Sequence, residues 1–175
     1  MTASARPPSA ARTVCRPAPL PPSGKPASDV AVHVLLESDR WPAEAEQIVI
    51  RAVKAALSVQ QDAPRQGEIA VLLADDAHLA ELNQRFRNRR GATDVLSFPG
   101  ETGSHHFLPH IGDIAIAYER CARDAAHLGR PLAFHLSHLV IHGVLHCLGH
   151  DHEREEEARV MEACEREALA MLGWG

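Results

Sequence analysis

Apolar and polar residues alternate from Val30 through Val32 and Val34 to Leu36, and the period of two predicts a strand that Glu37, Ser38 and Asp39 bring to a stop. The period then changes. Pro42 is placed to open a helix whose Ile48, Ala52, Ala55 and Val59 share one face, with Pro64 and Gly67 beyond its end. "EIAVLLA" (68–74) is an apolar run of strand length. Asp75 can cap the next helix, in which Leu79, Leu82 and Phe86 recur at helical spacing. "DVLSF" (94–98) is short and β-prone, and Pro99, Gly100 and Gly103 open a histidine-containing loop that includes His105, His106 and His110. "GDIAIAY" (112–118) alternates again, and a short helix follows to about Leu128, where Gly129 ends it. Beyond Pro131 the apolar residues Leu132, Leu136, Leu139, Val140, Val144 and Leu148 nearly encircle a helix, so that helix is expected to be buried, with Gly149 at its end. The remainder, "EREEEARVMEACEREALAML", is an amphipathic helix with an acidic outer side. The order β-α-β-α-β-β-α-α-α predicts a single α+β domain, a small mixed β-sheet packed with about five helices.

Composition sharpens the boundaries. Residues 1–29 hold seven of the twelve prolines, four basic residues (Arg6, Arg12, Arg16, Lys25) and one acid, Asp29, without apolar periodicity. Such a stretch buries too little surface to offset chain entropy, so it is expected to be a disordered tail, with the domain at 30–175. The net charge is −5, and the tail carries basic residues, so the body is more acidic still. A protein that coats nucleic acid by its global charge is therefore excluded, and any anion binding must be local. The four cysteines, Cys15, Cys121, Cys147 and Cys164, form no CxxC pair, which fits a reducing compartment and a cytoplasmic location. No apolar run approaches the roughly 20 residues of a membrane span, so no membrane partner is expected.

The candidate chemistry lies in "HGVLHCLGHDH" (142–152). Residues i and i+4 of a helix share a face, so His142 and His146 can direct two imidazole nitrogens at one point. Gly149 can take the left-handed turn that brings His152 back as a third ligand. His150 and Asp151 compete for that place, but the two-residue gap after the glycine favours His152. Three imidazoles leave one vertex open, the arrangement of a catalytic zinc at the end of a buried helix. The spacing matches that of metzincin peptidases, except that Gly143 stands where their general-base glutamate would be. The metal geometry is kept and the peptidase base is missing. His138 lies a turn away and is expected to pack beside the site or orient a ligand. Cys147, about 100° round the helix from His146, is expected in the core.

Four arginines, Arg85, Arg87, Arg89 and Arg90, crowd "RFRNRRGATDVLSFPG" (85–100). Cations are ordinary at helix C-termini, yet guanidinium groups also bind phosphate bidentately, and composition leaves both readings open. Together "LNQRFRNRRGATDVLSFP" (82–99), "GDIAIA" (112–117) and "HLVIHGVLHCLGHDHEREEEARVMEACEREAL" (138–169) resemble the YbeY family of bacterial single-strand-specific endoribonucleases, the ribosomal RNA maturation factors. The resemblance spans about residues 30–173 and includes Gly143. It implies one Zn2+ per chain held by His142, His146 and His152, and a catalytic arginine at Arg87. It gives no such support to Arg85, Arg89 or Arg90. Two departures stand out: Ala92 where the family commonly has proline, and His150 where an aromatic or other residue is usual.

The implied activity is zinc-dependent cleavage of single-stranded RNA, with small-subunit ribosomal RNA as substrate and the ribosome or ribosomal proteins as partners. Zinc would polarise a phosphoryl oxygen or acidify water without needing a carboxylate base, while Arg87 stabilised the transition-state charge. The attacking group, water or the neighbouring 2′-hydroxyl, stays open. Two other classes compete. One is a ribosome-assembly factor whose zinc mainly holds the fold, and the other is a zinc peptidase with a base such as Glu156 or Asp151.

Overall fold

A computed structural model describes residues 29–100 and 109–174. Most of the expected tail (1–28), with Cys15, and the loop residues His105 and His106 lie outside the described residues. The elements run β1 (Asp29–Leu36), α1 (Ala45–Ser58), β2 (Gln66–Ala74), α2 (Asp76–Arg87), β3 (Val95–Pro99), β4 (His110–Ala117), α3 (Tyr118–His127), α4 (Leu132–Cys147) and α5 (Glu155–Met171). This is the expected order. The sheet is mixed, with strands arranged β1-β2-β4-β3: the first two pairings are parallel and β3 runs antiparallel to β4 at one edge.

Alternation along the strands sorts side chains onto two unequal faces. Val30, Ile69, Val71, Leu73, Ile114 and Ile116 point into the main core with α1, α4 and α5, whereas Leu96, Ala115 and Ala117 meet Leu79 of α2 on the other side. Branched residues thus serve the thick layer and alanines the thin one. α4 packs against α1, α3, α5 and both β3 and β4, which is why apolar residues surround it.

Three local expectations are corrected. Pro42 does not begin α1: its carbonyl accepts from Ala45 N–H at 2.9 Å in a preceding turn, and the helix starts at Ala45. Of the expected face of α1, Ala52, Ala55 and Val59 are buried, together with Val49, Val53 and Ala56, while Ile48 is only half-buried. Phe86, the third residue of the apolar series on α2, is 57% exposed, with only Phe98 of the edge strand packed edge-to-face against it among the aromatic rings of the described residues. His110 is the first residue of β4 rather than part of a loop, and its Nε2 lies 3.0 Å from Asp113 Oδ2.

Candidate metal centre

The centre is built from the end of α4. Leu148 caps the helix, Gly149 turns the chain at φ 91°, and two backbone bonds close the turn: Gly149 N–H to His146 O (3.0 Å) and His150 N–H to Leu145 O (3.0 Å). This is the Schellman arrangement, and the positive φ is why a glycine is needed at its pivot. His150 is buried and its Nε2 lies 2.9 Å from Gln60 Oε1, so its side chain ties the turn to the residues after α1. The direction of that ring removes His150 from the ligand contest. Asp151 turns its carboxylate to the backbone of the next residue, where Oδ1 accepts from His152 N–H at 2.7 Å.

The turn brings His152 back over the helix. One ring nitrogen from each of His142, His146 and His152 falls within 4.8 Å of the other two, a group that could hold a metal ion. The first two are half-buried and the third is exposed, so the group opens to solvent on the His152 side.

The tautomers of the two helix histidines follow from their neighbours. His142 Nδ1 donates to Glu165 Oε1 at 2.7 Å, and His146 Nδ1 donates to the His150 carbonyl at 2.9 Å. Both partners are acceptors. Burial alone would raise the pKa of Glu165, but hydrogen bonds and charge from His138 and His142 outweigh it and hold the carboxyl at about 2. Burial, with the like charge of His142 behind it, pushes the pKa of His146 below its ordinary value. In its neutral form a ring with its proton on Nδ1 carries its lone pair on Nε2, and the two Nε2 atoms face each other at 3.0 Å. Two lone pairs at that distance repel unless a cation, either a metal ion or a proton on one of them, lies between them. The separation is close to the about 3.3 Å that two imidazole nitrogens take on tetrahedral zinc, so the donor set fits the metal.

Glu165 was not singled out from the sequence. It sits on α5, its two oxygens divided between His142 Nδ1 and His138 Nε2 (3.1 Å), and this carboxylate orients the first ring through the nitrogen that does not face the centre. Its only signal in the sequence was its place on the apolar side of an otherwise acidic helix. His138 thus lies two hydrogen bonds behind the centre, through Glu165 and His142. Glu156 is exposed on the first turn of α5, and the metal-competent group among the described residues contains no carboxylate.

Gly143 explains the missing glutamate sterically. A Cβ there would lie 2.9 Å from Ile114 Cγ2 and 3.1 Å from Ser97 Oγ, so α4 meets the sheet where position 143 has no side chain. A glutamate at 143 would point into the sheet. Cys147 is half-buried beside Gly112 and the Phe98 carbonyl, and burial, followed by the charge of Asp113, pushes its thiol up to about 12. It is therefore no nucleophile.

Arg87 is the last residue of α2 and meets β3. Its guanidinium donates to the Ser97 carbonyl at 3.4 Å, and the hydroxyl of that same serine faces Gly143, next to His142. Arg85 shares the last turn of α2, Arg89 and Arg90 follow the left-handed Asn88 that ends it, and all four guanidinium groups are exposed.

Comparison with known proteins identifies the family. Residues 34–173 match the family described as Endoribonuclease YbeY. Proteins named Endoribonuclease YbeY from Rhodopseudomonas palustris are similar: that of strain BisB18 is 46% identical over 149 residues (82% of this chain, 89% of that protein), and that of strain BisA53 is 46% identical over 149 residues (82% and 87%). The fold is shared with the solution structure of TM1509 from Thermotoga maritima, at 22% identity and a TM-score of 0.53, covering 81% of this chain and 91% of that one. With the match extending from β1 to the end of α5 and relatives near half-identical across it, this chain belongs to the YbeY endoribonuclease family.

Proposed function

We propose that the protein is a zinc-dependent endoribonuclease that cuts unpaired RNA, with ribosomal RNA as its substrate. The observation that carries the metal-dependent part is the pair of Nε2 atoms facing each other at 3.0 Å while both Nδ1 atoms are committed to acceptors. His142, His146 and His152 would hold one zinc ion, with Glu165 and the His150 carbonyl fixing two of the rings. Zinc bound there supplies Lewis acidity toward a phosphoryl oxygen and lowers the pKa of water toward about 7, which makes a carboxylate base dispensable. The RNA assignment rests on the names of the relatives and on the local arginines of an acidic chain. Arg87 binds the phosphate and stabilises the negative charge that grows on it; among the described residues its guanidinium makes one long bond, to Ser97. The steric closure at Gly143 disfavours a peptidase.

Measurement of metal content, followed by cleavage of single-stranded RNA before chelation, after it and after zinc restoration, tests the reading. Cleavage should vanish and return with zinc, and His146→Ala should lose both metal and activity. Arg87→Ala should retain zinc yet cut about 100- to 1000-fold more slowly. Nuclease-free, zinc-loaded protein that leaves unpaired RNA whole would refute the activity.

A further inference from the structure

Phe86 is an exposed aromatic residue among cations. Its ring is 57% exposed, yet it is not loose: Phe98 of β3 packs against it edge-to-face, with centroids 5.2 Å apart and planes at 64°. The Arg85 guanidinium lies 5.2 Å from the Phe86 ring centroid. Arg89 and Arg90 follow directly, in a chain whose net charge is −5. An aromatic surface held in place by a second ring, with one guanidinium group beside it and two more arginines close in sequence, matches one chemistry well, a flat base joined to phosphates.

We propose that Phe86, braced by Phe98, is a stacking shelf for one base of an unpaired RNA strand, with Arg85, Arg89 and Arg90 taking the flanking phosphates. The proposal rests on the reading that the substrate is RNA. Placement supports it: Arg87, on the same helix end, reaches Ser97 of β3, and the Ser97 hydroxyl faces α4 at Gly143, beside His142. The end of α2 that carries the shelf and the helix that carries the histidines therefore both meet the edge strand β3 at Ser97. A strand passing over the β3 edge would lay a base on Phe86 and a phosphate near the histidines. Duplex bases are already stacked and cannot reach the ring, so the shelf selects single strands. Because every base has a π-face, it does so without reading sequence.

The test is the affinity of the full-length protein, zinc-loaded and again with the metal removed, for a fluorescently labelled oligouridylate and for the same oligomer with abasic sugars. Phe86→Ala and Phe86→Leu should each weaken oligouridylate binding roughly ten-fold, and neither should change binding of the abasic strand. Phe86→Trp, which keeps a ring, should bind normally and show quenched fluorescence on binding, which also controls for loss of fold. Wild-type affinity in the alanine or leucine variant overturns the shelf, as does an equal loss on the abasic strand. The two readings fail separately. Protein that binds through Phe86 but never cuts loses only the nuclease, whereas protein that cuts while Phe86 variants bind normally loses only the shelf.

Discussion

Glu165 shows how one side chain can set the chemistry of another without entering the centre. Its carboxylate, held at about 2, is ionised at any working pH and accepts the His142 Nδ1 proton, so Nε2 is left as the lone-pair face. Glu165→Ala should lower zinc affinity by roughly 10- to 100-fold, while Glu165→Gln, which keeps an acceptor oxygen, should lose less. Competition against a chromogenic chelator measures both, and an alanine variant with unchanged affinity would show that the ring is held by packing alone. Residue identity and spacing made His142, His146 and His152 legible in the sequence, because an i, i+4 pair and a glycine turn are local geometry. Glu165 was not legible, since it reaches His142 from 23 positions away through the docking of α5 on α4.

At the scale of the element, α4 carries the centre and must also fit the sheet. The contact at Gly143 is closer than any Cβ allows without movement of Ile114 or the helix. Gly143→Ala should destabilise the protein even though alanine is the better helix former. Overpacking costs about 1–3 kcal/mol, and the propensity gain returns about 1 kcal/mol at most. Urea unfolding reads the difference, and a stabilised alanine variant would show that the helix shifts freely. Gly143→Glu should be worse and should confer no peptidase activity. The course of α4 was legible from its encircling apolar residues, but the glycine was visible only as a missing base. That it is also a packing requirement depends on β3 and β4, which periodicity within α4 does not report.

For the molecule as a whole, the histidines link α4, the turn after it and, through Glu165, α5, so metal binding should reinforce the folded state. With free zinc about a thousand times above Kd, the gain in unfolding free energy is about 4 kcal/mol. Thermal unfolding should show a clear rise in Tm on adding zinc and none in His146→Ala; an identical Tm with zinc and with chelator would count against the centre. Among the described residues, no helix is long and apolar enough to cross a membrane, as the hydropathy of the chain suggested. The sequence by itself determined the element order, the α+β class and the three convergent histidines, because turns, periodicity and helix spacing act over a few residues. Only the tertiary structure decided that His150 points to Gln60, that Glu165 orients His142, that no side chain fits at 143 and that Phe86 stays in solvent beside Phe98. Those outcomes depend on which surfaces meet when distant segments pack, and spacing along the chain carries no record of that.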